Sequence, residues 1–276
     1  MRFSTRGLGP GGQEEQDLSW LNDSYPKDLS ADGTTLLLGD FRGAPQLHPI
    51  FMRRTDGSPA VRLGDGHGGR LSPDGKWVVI MTNDARIALL PTGAGSPRTL
   101  PRGPSDQLHD VEWFPDGRRV LAHGLTKGPE RVVTFAQDLD GGPPVTILSG
   151  YEGMLPSPDG RFLLAEKNDE GPFLLCPVGG GPCRPTSGLD PERDWPIRWS
   201  ADGKAVLVRR QDPQKITLAR VDLTTGHWET LKTITPADRA GIFAFGSWTT
   251  ITPDGRYYAY SYGRSLSDLY LVRGLR

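Results

Sequence analysis

The chain is poor in cysteine, in long apolar runs and in excess charge. Its 276 residues include two cysteines, and 32 Lys and Arg nearly balance 33 Asp and Glu, which gives a formal net charge of −1. This balance excludes bulk electrostatic attraction to nucleic acid or to an anionic membrane. No apolar run of about 18 residues occurs, so we expect no transmembrane helix. The N-terminus also lacks the apolar core of a signal peptide.

The two cysteines, Cys176 and Cys183, flank a Pro- and Gly-rich segment that predicts a hairpin. They could face each other across the hairpin and form a disulfide, or remain two reduced, half-buried thiols. We favour the reduced state. Because no histidine or further cysteine accompanies the pair, a zinc site is not indicated.

Glycine and proline, by contrast, are abundant, with 36 and 25 residues. They belong in part to a tetrapeptide that recurs six times between strand-like runs and ends in Asp-Gly. Successive aspartates are 42, 42, 43, 43 and 52 residues apart. The copies are Ser30-Ala31-Asp32-Gly33, Ser72-Pro73-Asp74-Gly75, Phe114-Pro115-Asp116-Gly117, Ser157-Pro158-Asp159-Gly160, Ser200-Ala201-Asp202-Gly203 and Thr252-Pro253-Asp254-Gly255.

A period of roughly 40–45 residues with several short strands per unit is typical of a β-propeller. The sequence therefore predicts an all-β fold, a six-bladed β-propeller of four-stranded antiparallel blades. We expect residues 1–10 to be an N-terminal tail and residues 11–276 to be one propeller domain. The last repeat lacks an outer strand after the one expected at residues 268–272, so residues 13–20 are predicted to join the last blade and close the ring.

The recurring aspartates are interpreted as structural turn residues. Pro presets the backbone at the second turn position, Asp accepts nearby backbone N–H groups, and Gly supplies a positive φ. The alternative, a ring of metal ligands, fails because one aspartate per blade is spread around a rim. The turn residues are Asp32, Asp74, Asp116, Asp159, Asp202 and Asp254.

The Ser-Pro-Asp-Gly-Lys/Arg repeat resembles the WD40-like (TolB-type) repeat of bacterial propellers. Residues 195–203, 235–241 and 258–272 resemble, more narrowly, the C-terminal propeller of bacterial eukaryotic-like serine/threonine kinases, which implies a sensor or binding role. The kinase motifs themselves are absent: no glycine-rich loop with a strand lysine, His-Arg-Asp or Asp-Phe-Gly occurs in the chain. Kinase activity is therefore not implied.

A ligand is expected over the central channel, on the face opposite the Asp-Gly turns. The longest insertion, near residues 235–248, also belongs to that face. No catalytic residue, metal or cofactor is predicted, although His48, His67 and His109 on one face keep a metal site open. The candidate ligand-binding residues are Asp28, Arg70, His109, Glu112, Glu152 and Arg198.

Two functions follow from these observations. The first is a non-catalytic binding or sensor propeller, monomeric, whose partner is a protein or a small polar ligand and which neither binds nucleic acid nor inserts into a membrane. The second is a propeller enzyme, a lyase or glycosidase, that uses Asp110, Glu112 and Glu152 with His109 in the channel. As written the chain is expected in the cytoplasm, or in the periplasm if it is a fragment of a membrane-anchored kinase.

Overall fold

A computed structural model describes residues 2–42, 48–127, 131–167, 171–212, 215–236 and 238–265. These residues form antiparallel strands joined by turns, and none of their segments is a helix that could cross a membrane. The strands are β1 (Arg2–Leu8), β2 (Gln16–Asp17), β3 (Ser24–Leu29), β4 (Thr35–Asp40), β5 (His48–Arg54), β6 (Val61–Leu71), β7 (Trp77–Met81), β8 (Ile87–Pro91), β9 (Arg98–Thr99), β10 (Gln107–Trp113), β11 (Arg119–Leu125), β12 (Val132–Asp138), β13 (Val145–Ser149), β14 (Glu152–Pro156), β15 (Phe162–Glu166), β16 (Phe173–Pro177), β17 (Arg184–Pro185), β18 (Asp194–Trp199), β19 (Ala205–Asp212), β20 (Lys215–Asp222), β21 (Trp228–Ile234), β22 (Ile242–Ile251) and β23 (Tyr258–Arg264).

The sheets correct the predicted blade count. Within the described residues the propeller has four four-stranded blades, not six: β10–β13, β14–β17, β18–β21 and the set β22-β23-β1-β2. The first two sequence repeats instead share one seven-stranded sheet in the order β3 to β9. The prediction of six separate four-stranded blades is therefore wrong.

The physical reason is the continuity of β6. Its first half pairs with β5, as His48 opposite Gly66 shows, and its second half pairs with β7, as His67 opposite Met81 shows. The sequence has four glycines between Gly64 and Gly69, which suggests a connecting loop. β6 nevertheless continues through this segment as one strand, with positive φ at Gly68 and Gly69 and a register irregularity between His67 and Arg70. The outer strand of one repeat therefore runs directly into the inner strand of the next.

The N-terminal segment lies in the last sheet, with a different strand arrangement from the one predicted. β1, which falls within the predicted tail, pairs with β23 from Arg2 opposite Arg264 to Leu8 opposite Tyr258. β2, within the predicted 13–20 segment, is the outermost strand and pairs with β1. The strand expected at residues 268–272 lies outside the described residues.

Successive sheets pack face to face around a central channel, so most middle strands are buried on both sides. In β7, Val79 packs toward β10 and β11, whereas its neighbour Val78 packs toward β4 and β5. In β19, Val206 and Leu207 likewise enter different clusters. This two-sided burial explains why these strands are nearly continuous apolar runs, because adjacent side chains of a strand point to opposite faces.

The structure also corrects the expected thiol state. Cys176 and Cys183 form a disulfide, with Cα atoms 4.2 Å apart, and Cys176 is completely buried. Cys176 precedes the hairpin turn at residues 177–182 and Cys183 follows it, and their side chains point toward each other. Spacing in the sequence permits this geometry and does not require it.

Candidate functional site

The repeated aspartates stabilise the turns that place the inner strands. In five of the six turns the Ser or Thr hydroxyl that opens the turn donates to the Asp Oδ1, as Ser72 does to Asp74 at 2.6 Å. The same oxygen accepts the backbone N–H two residues later, as from Lys76 at 3.1 Å. The hydrogen bond from Ser72 lowers the pKa of Asp74, because it favours the carboxylate.

Each inner strand contributes a residue four positions before its turn aspartate to a ring inside the channel. We call this set the channel ring. Four of its members carry a charge, and the sign of the charge alternates over the first three in sequence order. The members are Asp28, Arg70, Glu112, Leu155, Arg198 and Thr250. Four of the six predicted ligand-binding residues therefore come together here.

The charged members of the channel ring pair with one another. Arg70 Nε donates to Glu112 Oε2 at 2.9 Å, and its Nη2 donates to Asp110 Oδ2 at 3.3 Å. Arg198 Nη2 donates to Asp28 Oδ1, and its Nη1 donates to the Leu29 carbonyl at 3.1 Å. These pairs join different sheets across the channel.

Backbone donors complete the coordination of the two ring carboxylates. Asp28 accepts the N–H groups of Leu29 and Leu71, each at 2.8 Å. Glu112 accepts the N–H of Trp113 at 2.8 Å. Both carboxylates are thus held in place by side-chain and backbone donors.

Burial tunes the ionisation of this region. Desolvation raises the pKa of Glu112 to about 7, although Arg70 opposes the shift. Desolvation and the nearby Arg70 charge lower the pKa of Lys27 to about 7, and Lys27 Nζ lies 4.9 Å from the centre of the Tyr25 ring. Burial lowers the pKa of Arg70, but the negative charges of Asp110 and Glu112 have the larger combined effect. The pKa of Arg70 is therefore raised above its usual value.

A cavity of about 380 Å³ opens from the channel ring toward the Asp-Gly turns. Its floor includes Asp28, Arg70 and Arg198, and its walls are mainly apolar. A smaller space of about 60 Å³ lies on the other side of the ring, beside Lys27 and Asp110. The wider of these two cavities is thus on the turn face, whereas the ligand was expected on the opposite face. Apolar and proline residues of the wider cavity are Ala31, Pro73, Trp113, Pro115, Leu155, Pro158, Ile197, Trp199, Ala201 and Pro253.

The other two predicted residues, His109 and Glu152, lie together away from the channel ring. His109 Nδ1 is 3.4 Å from Glu152 Oε1, and His123 Nε2 is 3.6 Å from Glu152 Oε2. Sequence reasoning missed His123. The sequence does contain one indication of its position. His123 lies in β11 two residues after the buried Leu121, so both side chains are on the face toward the next sheet.

His48 and His67 form a separate pair with ring centres 5.6 Å apart. His67 Nε2 lies 3.2 Å from Asn83 Oδ1, and His48 Nδ1 lies 3.1 Å from the Asp40 carbonyl. The structure thus groups His109 with His123 and Glu152, and not with the other two histidines of the predicted set.

Solved structures share this fold over nearly the whole chain. A protein assigned as TolB from Agrobacterium tumefaciens matches with a TM-score of 0.65 and 21% identity, over 96% of this chain and 99% of the other. TolB from Acinetobacter baumannii matches with a TM-score of 0.57 and 15% identity, over 95% of this chain and 63% of the other. The chain has a TolB-type propeller fold.

A third neighbour is an enzyme. An oligogalacturonate lyase in complex with manganese matches with a TM-score of 0.57 and 16% identity, over 83% of this chain and 68% of the other. No family model and no curated protein matches this sequence. At these identities the similarity shows the propeller fold alone, because one fold carries binding proteins and enzymes alike.

Proposed function

We propose that this propeller is a non-catalytic binding module that takes an apolar segment of a protein partner into the turn-side cavity. The observation that carries the proposal is the contrast between floor and walls. The ring carboxylates Asp28 and Glu112 are held by arginines and backbone N–H groups, whereas the walls above them are mainly apolar. Such a site gains free energy by burying apolar groups.

The shape of the cavity favours a polypeptide. About 380 Å³ accommodates one or two large side chains, and the rim consists of turn residues that continue outward over one whole face. A partner can therefore insert an anchor and contact the rim at the same time, which is the usual arrangement of a binding hot spot.

A displayed library of random peptides tests the proposal, with immobilised protein as bait. Ala31→Arg and Ala201→Arg place long charged side chains on the exposed rim, and we expect the enriched peptides to lose binding to both variants by at least about tenfold. Ala94→Arg is the matched control, because Ala94 is an exposed residue outside the cavity. Failure to enrich any peptide, or equal binding to the rim variants and wild type, would overturn the proposal.

A propeller enzyme is the second candidate, and one observation favours it. His109, His123 and Glu152 converge as metal-binding side chains do, although the channel carboxylates that a glycosidase would need are held by arginines. Turnover of a glycan panel, with and without added Mn²⁺ or Zn²⁺, separates this candidate from the binding module.

We also propose that the module is an accessory domain related to the propellers of bacterial serine/threonine kinases. The support is the sequence resemblance at residues 195–203, 235–241 and 258–272. A kinase reading frame continuous with the Met1 codon would support this relation, and an independent promoter and ribosome-binding site there would count against it.

For its compartment we propose an oxidising environment such as the periplasm. The Cys176–Cys183 disulfide supports this choice, because reducing cytosols keep such thiols reduced. Thiol counting by mass spectrometry on protein taken from its native cells should find both cysteines blocked, and two free thiols would contradict it.

A further inference from the structure

Two histidines and one glutamate converge at the junction between the β10–β13 and β14–β17 blades. His109 comes from β10, His123 from β11 and Glu152 from β14, and their ligand atoms all lie within 4.8 Å of one another. His123 and Glu152 are buried, and His109 is open to solvent. The group lies at the start of the inner strands, on the face opposite the Asp-Gly turns.

The hydrogen bond that His123 makes to the backbone identifies which ring nitrogen carries the hydrogen and which one has a lone pair directed at Glu152. His123 Nδ1 lies 3.1 Å from the Gly153 carbonyl, and a carbonyl only accepts, so Nδ1 carries the hydrogen. In the neutral imidazole the lone pair of Nε2 then points at Glu152 Oε2, 3.6 Å away. Two acceptors that face each other at a buried position are stabilised by a cation between them, either a proton or a metal ion.

A strand irregularity brings His109 to the same glutamate. In β3, β14 and β18 the β-bulge falls five residues before the turn aspartate, at Lys27, Met154 and Ile197. In β10 it falls at His109, seven residues before Asp116. Because a bulge redirects the side chain of its extra residue, this displacement lets His109 Nδ1 reach Glu152 Oε1 at 3.4 Å.

Glu152 itself is fixed by its neighbours. The Thr134 hydroxyl, from β12, donates to the Tyr151 carbonyl at 2.8 Å and accepts the Gly153 N–H at 2.8 Å. Both residues that flank Glu152 are therefore held by one side chain of the adjacent blade. The Nδ1–H of His123 bonded to a carbonyl is likewise the usual support of a metal-binding imidazole.

We propose that His109 Nδ1, His123 Nε2 and Glu152 form a binding site for a divalent transition metal of the zinc type. A tetrahedral zinc site with bonds of about 2.0–2.1 Å has donor atoms about 3.4 Å apart. The separations of 3.4 Å from His109 and 3.6 Å from His123, measured to the two different oxygens of Glu152, are close to this value. Two imidazoles and a carboxylate suit such an ion, and three protein donors leave one position open to solvent beside His109. The ion would join two blades and present an exchangeable position on the face opposite the turns.

The proposal is tested by titrating metal-stripped full-length protein with Zn²⁺ against a chromophoric chelator. We expect one tightly bound equivalent, weakened by at least about tenfold in His109→Ala and in Glu152→Gln. His227→Ala is the matched control and should bind as wild type does, since His227 is an exposed histidine far along the chain in the fifth repeat. Binding should also weaken on acidification, because protons compete for the imidazoles.

Two further measurements keep the result decisive. Zn²⁺ should raise the melting temperature of the wild type and not that of His109→Ala, whose solvent-exposed substitution leaves the fold intact. Co²⁺ should give visible d–d absorption in the wild type alone. If the wild type bound Zn²⁺ no more tightly than His109→Ala does, the proposed metal site would be wrong. The cluster would then be an imidazole–carboxylate pair without a metal.

Discussion

Arg70 contacts three residues of β10 through its side chain and its backbone. Its guanidinium reaches Glu112 and Asp110, while its carbonyl accepts the Trp113 indole N–H at 3.0 Å. One residue of β6 thus fixes both an acid and an aromatic ring of β10. Because half-buried carboxylates are costly without a partner, the pairing matters most for Glu112.

Arg70→Met should lower the free energy of unfolding by about 2 kcal/mol near pH 8. The pKa of Glu112 in the folded protein is already raised to about 7, above its ordinary value of 4.5, and loss of the cation raises it further. A carboxyl group with a raised pKa in the folded state loses its contribution to stability as pH rises through that folded-state pKa. The stability difference between Arg70→Met and the wild type should therefore be smaller near pH 6 than near pH 8. Urea denaturation at the two pH values measures both effects.

The double variant Arg70→Met/Glu112→Gln is the control for this pair. It removes the uncompensated charge but keeps an acceptor for the Trp113 N–H, so it should recover much of the loss near pH 8. A single-variant deficit that is independent of pH and unrelieved by Glu112→Gln would contradict the assignment.

The sequence identifies the channel ring better than the histidine cluster. Asp28, Arg70, Glu112 and Arg198 share one offset from a repeated turn, so a regular fold brings them together. His123 has no such equivalent, and its position in β11 indicates a side chain that faces the next sheet without indicating which residues it meets there. The displaced bulge at His109 depends on strand register, which the residues of β10 alone do not specify.

At the scale of elements, the junction between β1 and β23 tolerates little extra volume. A Cβ on Gly7 would lie 2.2 Å from the Tyr258 carbonyl oxygen and 2.9 Å from the Ala259 Cα. Both neighbours are backbone atoms, so the strands must separate to accommodate a side chain. The pairing that holds the N-terminal segment depends on this glycine.

Gly7→Val should therefore destabilise the protein by about 3 kcal/mol, because overpacking against backbone cannot relax by rotamer change. Gly93→Ala is the matched control, since a Cβ there meets no atom within 4 Å, and its stability should change by less than about 0.5 kcal/mol. Chemical denaturation of both variants provides the comparison. Equal stabilities would mean that β1 contributes nothing to the last sheet.

The turns and most strand positions follow from the repeat, because Asp-Gly turns require their residues locally. Strand continuity does not follow, because β6 continues as one strand through glycines that would also permit a loop. The disulfide was missed for a related reason: side-chain direction at Cys176 and Cys183 is set by the packed hairpin rather than by their spacing.

At the scale of the whole molecule, the repeated turns give the protein a common acid sensitivity. Hydrogen bonds from the opening Ser lower the pKa of Asp32, Asp74, Asp159 and Asp202, the last to about 2. In Asp116 and Asp254 partial burial opposes the shift, but hydrogen bonds still lower the pKa. All six carboxylates are thus more acidic in the folded chain than in the unfolded one.

Stability should fall steeply as pH drops from about 4 toward 2, because these aspartates must then be protonated in the folded state. A depressed carboxyl pKa contributes stability above the unfolded value, and the contribution is lost below it. Urea midpoints measured across this interval should decrease together with the fraction of ionised aspartate. A constant midpoint down to about pH 2.5 would show that the turn hydrogen bonds contribute no net stability.

Pairing of Arg2–Leu8 with Tyr258–Arg264 also imposes an order on biosynthesis. The paired residues are at least 250 positions apart, so a ribosome synthesises β23 long after β1. Until then β1 has no neighbour on that edge, and the nascent chain exposes an unsatisfied strand that can pair with other chains. The last sheet therefore cannot be completed until residues 258–264 have been synthesised, and the edge of β1 stays unpaired throughout that interval.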